Sequence, residues 1–122
     1  AEAVGEAGEG MYFSGPDLSF TNELYATFLE KHTEVYGIDP TSVFHSHAFD
    51  AATIILSCVE EVGVVDGEDL HVGRQAMRDC VTATSGYDGI TGTLTCNEYG
   101  DCADPQITVS QLTAGEYLPI WP

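Results

Sequence analysis

Two histidines and a carboxylate lie close enough along the chain to suggest chemistry. His45-Ser46-His47 sets two imidazoles two residues apart, and Asp50 follows three residues on. In an extended segment alternate residues share a face, so both rings could meet one metal ion with Asp50 as a third ligand. Two ligands at this spacing do not make a site by themselves, and no distant partner stands out. The other readings are a polar lining for a binding cleft and plain surface or capping histidines. Asn97-Glu98-Tyr99-Gly100-Asp101 superficially suggests calcium, but Tyr99 breaks the alternation of oxygen ligands and no closing glutamate follows at the required distance. It reads as a hairpin turn with Gly100 at positive φ. Ser42, Ser57 and Ser85 sit in no Gly-x-Ser-x-Gly elbow, and Gly86-x-x-Gly89-x-x-Gly92 has neither the spacing of a phosphate loop nor a helix after it. The expectation is a noncatalytic chain without a cofactor.

Four cysteines, Cys58, Cys80, Cys96 and Cys102, allow three pairings. No C-x-x-C knuckle occurs, which argues against a zinc ribbon. Cys96 and Cys102 flank a short loop containing Gly100 and Asp101, as a clip would. Cys58 and Cys80 each fall in helix-like stretches and could join two packed helices. The spacing favours Cys58–Cys80 and Cys96–Cys102, which places the chain outside the reducing cytosol.

Among 122 residues, 3 Lys+Arg face 20 Asp+Glu, a formal charge of −17. Such a surface repels phosphate backbones, so anionic membranes are poor partners and no nucleic-acid partner is expected. With only Lys31, Arg74 and Arg78 as cations, most carboxylates must form a solvated face, and their mutual repulsion is better tolerated in high salt. Hydrophobic residues make up 43%, enough for a packed core. No apolar run approaches the roughly 18 residues that cross a bilayer; the longest, Ala51 to Val59, is interrupted by Thr53 and Ser57. Neither a signal peptide nor a lipid anchor is visible, and the start at Ala1 reads as a cut end.

The elements that must position these residues follow from periodicity and turn chemistry. Residues 1–9 read as a linker or frayed helical end. Gly10 to Ser14 reads as a short strand stopped by Gly15-Pro16-Asp17. Ser19 is a candidate N-cap for a helix to about Tyr36, with Phe20, Leu24, Phe28 and Val35 on one stripe and Gly37 ending it. Thr41 to His45 is expected to be extended. A second helix is expected from about Ala48 to Val62, then a polar loop over Asp66-Gly67-Glu68-Asp69, then a third helix from about Val72 to Ala83. Ile90 to Cys96, Gln106 to Leu112 and Glu116 to Ile120 alternate like strands, linked by turns at Glu98–Asp101 and Ala114-Gly115. That order points to an α/β fold of about three helices packed on a mixed sheet, with a C-terminal antiparallel hairpin.

Four segments, in order, carry a family resemblance: Glu9-Gly10-Met11-Tyr12, His47-Ala48-Phe49-Asp50-Ala51-Ala52, Tyr87-Asp88-Gly89-Ile90-Thr91-Gly92-Thr93-Leu94 and Asn97-Glu98-Tyr99-Gly100-Asp101. Together with Gln111 and the Ala114-Gly115-Glu116-Tyr117 turn, they resemble the C-terminal third of type I periplasmic substrate-binding proteins. The nearest branch is the leucine/isoleucine/valine-binding family of ABC importers. The resemblance implies a partial type I fold, with residues 41–93 mostly from one lobe and 1–40 and 94–122 mostly from the other lobe and hinge. It implies that Phe49 packs against a ligand side chain at the lobe interface, with His47 in a cleft-lining role. Asp50 would be a carboxylate at a helix N-terminus, favoured by the backbone dipole. It also implies a disulfide beside the Gly-Asp hairpin, as in some relatives.

The function so implied is the extracytoplasmic, periplasmic or extracellular, solute-binding component of an ABC importer, its parent either free or lipid-anchored. The parent's partners would be a small-molecule ligand, an amino acid or a similar polar solute, and the ABC permease. The chain alone would bind amino acids weakly or not at all, and its unpaired strand edges suggest a homodimer. The alternatives are the ligand-sensing extracellular domain of a receptor with the same fold, and a metal-binding protein using His45, His47 and Asp50.

Overall fold

The computed structural model describes residues 5–102 and 106–121. Its helices and strands follow in the order β1 (Tyr12–Pro16), α1 (Glu23–Tyr36), α2 (His45–Val62), β2 (Val64–Asp66), β3 (Asp69–His71), α3 (Arg74–Thr82), β4 (Tyr87–Gly89), β5 (Gly92–Leu94), β6 (Ile107–Thr113) and β7 (Glu116–Trp121). A short 3-10 turn, Gly5–Gly8, precedes β1. The chain divides into two compact units, Ala1–Ser19 with Pro105–Pro122, and Phe20–Asp104.

The first unit is a three-stranded antiparallel sheet in the order β1-β6-β7. Tyr12 faces Gln111 and Pro16 faces Ile107, and Thr113 faces Glu116 across the β6–β7 turn. That turn is Ala114-Gly115, both residues at positive φ (53° and 84°), the twist that matches a two-residue hairpin. Leu112 is fully buried, and Phe13 meets Tyr117 edge to face at 5.1 Å. Glu9 and Gln111 staple the entry to β1: the Glu9 carboxylate accepts from the Ala114 N–H at 2.9 Å, and the Gln111 amide donates to the Gly10 carbonyl at 3.1 Å. Gly15-Pro16, expected to turn the chain, instead completes β1. Because β1 is an edge strand, proline's missing N–H takes no bond from the ladder. The turn comes one residue later. There the Asp17 carboxylate accepts from the Ser19 N–H at 2.9 Å, and bonds from the Ser19 hydroxyl and backbone hold the Asp17 carboxyl below its usual range.

The second unit holds the three helices and two small hairpins, β2–β3 and β4–β5. Helix α1 begins at Glu23 rather than near Ser19, because Asn22 is the cap: its side chain accepts from the Tyr25 N–H at 2.8 Å. Gly37, at φ 74°, closes the helix by donating to the Thr33 carbonyl, the αL ending its sequence suggests. Helix α2 starts at His45, so the extended segment expected over Thr41 to His45 is not there. Ser42 turns the chain instead, its hydroxyl accepting from the Phe44 N–H and its carbonyl from the His45 N–H. Within Asp66-Gly67-Glu68-Asp69, read as a polar loop, Gly67-Glu68 turns the β2–β3 hairpin with Gly67 at φ 65°; glycine first in a two-residue turn is a hairpin signal. The strand expected from Ile90 to Cys96 is a hairpin, β4–β5, with Ile90-Thr91 as its turn. All described strand pairs are antiparallel.

The Cys58–Cys80 disulfide ties α2 to α3, and Cys96–Cys102 closes the loop after β5. Few apolar side chains are fully enclosed: Ile54, Cys58, Ile90, Leu94 and Leu112. Helix α1 buries none of its residues, and Val35 and Val65 are 69% and 72% exposed.

A thin core under heavy like charge makes stability sensitive to screening. Raising NaCl from about 0.1 M to about 1 M shortens the Debye length from about 10 Å to about 3 Å. Thermal unfolding of the disulfide-bonded chain should then move up by about 5 °C or more. An unchanged or falling midpoint would show that carboxylate repulsion does not limit this fold.

Candidate functional site

The residues marked out by their chemistry converge on the first half of α2, and the helix sorts them onto different sides. A helix turns about 200° over two residues, so His45 and His47 diverge instead of sharing a face. His45, the first residue of α2, turns toward α1. Its ring stacks on Tyr25 and Phe28, each 5.7 Å away. Its Nδ1 donates to the Ser42 carbonyl at 2.5 Å, leaving Nε2 to accept from the Tyr25 hydroxyl at 3.0 Å. His47 instead neighbours Phe20 and Phe44 and lines a half-open cavity of about 250 Å³, walled by Ala51, Ile54, Ile55, Val81 and Leu94. Its Nδ1 is buried without a hydrogen-bond partner among the described residues.

Asp50 belongs to neither imidazole. It is 1% exposed and spends its carboxylate on the β4–β5 turn. Oδ1 accepts from the Ile90 N–H at 2.9 Å, and Oδ2 accepts from the Thr91 N–H at 2.8 Å and the Thr91 hydroxyl at 2.7 Å. Asn22, the cap of α1, donates to the Ile90 carbonyl at 2.9 Å, so the same turn is held from two helices. Gly89 allows the close approach: a Cβ there would lie 2.6 Å from the Asp50 carboxyl. The metal reading fails on this geometry, since the two rings diverge and the carboxylate already takes three hydrogen bonds from the β4–β5 turn. Among the described residues no group of three or more His, Cys, Asp or Glu is placed to hold a metal ion. The dipole reading of Asp50 is corrected too, because Asp50 is the sixth residue of α2 and lies beyond its first turn.

Phe49 points elsewhere again. It packs on Phe28 at 5.1 Å and lines an apolar groove of about 260 Å³ with Leu24, Phe28, His32, Val35 and Tyr36. The two residues expected to touch a ligand, Phe49 and His47, therefore open onto different cavities of this unit. The Asn97–Asp101 loop is a turn, as expected: Gly100 has φ 83°, and the Asn97 side-chain oxygen accepts from the Tyr99 and Asp101 N–H groups at 2.9 and 3.0 Å. The partners that sequence reasoning missed are Gly89, Ile90, Thr91 and Asn22. The only local trace of them is the turn composition of Gly89-Ile90-Thr91-Gly92.

No protein-family model and no curated protein matches the chain. Solved structures do. The leucine binding protein LivK of Thermotoga maritima aligns with a TM-score of 0.68 at 24% identity, over 97% of this chain and 32% of that one. A leucine-, isoleucine-, valine-, threonine- and alanine-binding protein from Brucella ovis, in a closed conformation, gives a TM-score of 0.63 at 17% identity, over 98% and 32%. A solute-binding protein of an ABC transporter from R. palustris, solved with benzoate, gives 0.58 at 20%, over 98% and 31%. The fold is that of a type I periplasmic binding protein, in part. The chain spans about a third of the length of the structures it matches, and the resemblance to leucine and branched-chain amino acid binding proteins extends over nearly all of its residues.

Asp50→Asn turns an amide N–H₂ toward donors that now find a carboxylate. Leaving them unpaired in the interior should cost about 2–4 kcal/mol, read from urea unfolding midpoints. Gly89→Ala should destabilise by a similar route. A change within about 0.5 kcal/mol of wild type for Asp50→Asn would mean that the carboxylate does not hold the turn.

Proposed function

We propose that the chain is part of an extracytoplasmic solute-binding protein that hands a small polar solute to an ABC importer, with amino acids as the leading ligand class. The observation that carries this reading is the likeness to a leucine binding protein over 97% of the chain. Two disulfides support a location outside the reducing cytosol. No helix among the described residues is long and apolar enough to cross a membrane. The role is binding, without catalysis. Phe49 and His47 are the residues assigned to the ligand, Phe49 as an apolar face and His47 as a polar edge. Because they open onto different cavities here, His47 would meet the ligand only through the cavity walled by Ile54 and Leu94, and Phe49 through the groove beside Phe28.

Calorimetry tests the reading at two levels. The parent protein containing this chain should bind leucine, valine or another small solute of that class at micromolar concentration, and Phe49→Ala should weaken that binding roughly tenfold. Residues 1–122 alone should show no micromolar binding, because this fold closes two lobes around its ligand. A parent that binds no amino acid, amide or aromatic acid would overturn the assignment. Micromolar binding by the isolated chain would show that it carries a complete site.

A further inference from the structure

The two arginines of the chain, Arg74 and Arg78, stand one helical turn apart on α3 and are both exposed. In a chain with 20 carboxylates each should easily find a counter-charge, yet neither guanidinium makes an ion pair or hydrogen bond among the described residues. Their placement also works against the helix. Arg74 is the first residue of α3, where the backbone dipole disfavours a cation, and like charges one turn apart repel. Asp79, one residue from Arg78, accepts instead from the Gln75 amide at 2.7 Å. Helix α3 buries none of its residues, and the Cys58–Cys80 disulfide fixes it to α2. The helix that carries the pair is thus fixed in place, while the two charges work against it and find no partner among the described residues.

We infer that Arg74 and Arg78 form a docking face for an acidic segment of a partner protein, one that presents two carboxylates about a helical turn apart. Each guanidinium fork takes one carboxylate through paired N–H···O bonds, a geometry that a lysine cannot supply. Charge complementarity selects this occupant. An extended anionic surface, membrane or nucleic acid, would meet the remaining charge of this −17 chain as well. A compact carboxylate pair meets the two arginines, with Asp79 beside them, and little of the remaining charge.

Fluorescence anisotropy at about 0.15 M salt tests this with the disulfide-bonded chain and a labelled helical peptide carrying glutamates one turn apart. The control peptide carries glutamines at the same positions. The glutamate peptide should bind roughly fivefold tighter than the control. Arg74→Gln/Arg78→Gln should abolish that preference, and Arg74→Lys/Arg78→Lys should give an intermediate value. The melting temperature of each variant, recorded under the same conditions, separates lost docking from lost folding. Equal binding of the two peptides, or a preference that survives the glutamine variant, overturns the proposal. Arginine-dependent capture by phosphatidylserine vesicles or by duplex DNA under the same conditions overturns the choice of occupant.

Discussion

A carboxylate taken out of water must be repaid in hydrogen bonds from its new surroundings, and Asp50 is where this fold meets that requirement. Its two oxygens are 40 and 41 residues from the backbone N–H groups they accept, so the bonds join segments far apart in the helical unit. The geometry constrains everything around it. Gly89 has to lack a side chain, Ile90 is drawn to full burial, and the β4–β5 turn comes to rest where Asn22 can reach its carbonyl. One ionised side chain thereby fixes the relation between α2, the cap of α1 and the hairpin. A buried charge with satisfied donors specifies a unique arrangement more than it adds net stability, and specificity is what a unit with so few enclosed apolar residues lacks.

The remaining order comes from covalent and local devices. The Cys58–Cys80 bridge holds α3, a helix that buries none of its residues, and Cys96–Cys102 closes a loop whose turn is already set by Asn97 and Gly100. In the sheet unit, Leu112 and the Phe13–Tyr117 contact do the packing, while Glu9 and Gln111 pin the entry strand. These devices act at short range and are indifferent to the charge on the surface. Hydrophobic enclosure is the contribution in short supply, and repulsion among carboxylates acts directly against it.

What the sequence made legible is what local chemistry decides. Gly37 ends α1, Ala114-Gly115 turns the last hairpin, Gly100 adopts positive φ, and the cysteines pair as their spacing favours. What it hid depends on contacts distant in the chain. Ser19 and Asn22 are both good caps by composition, and the choice falls to Asn22 because the Ser19 side chain bonds Asp17 and Ile90 offers Asn22 a second bond. The pairing of His45 with His47 rested on a period of two. It dissolved once Ser42 turned the chain and α2 began three residues earlier than its apolar stripe suggested. Nothing local to Asp50 announces Ile90 and Thr91 as its partners, so a residue readable as a helix-end carboxylate proved to be the centre of the unit.

The same helix explains why the candidate ligand residues part company. On α2, Asp50 and Ile54 point into the unit, His47 edges the cavity beside that core, and Phe49 leans on Phe28. A helix that commits its buried ridge to a structural carboxylate can offer ligands only its flanks, and each flank opens onto its own hollow. The aromatic groove near Phe28 and Phe49 suits an apolar group. The cavity at His47, mostly apolar but with Asp50, Thr91 and Asp101 also in its lining, suits a group that is mostly apolar with one polar end. The position of Asp50 on the ridge between them keeps the two flanks of α2 distinct.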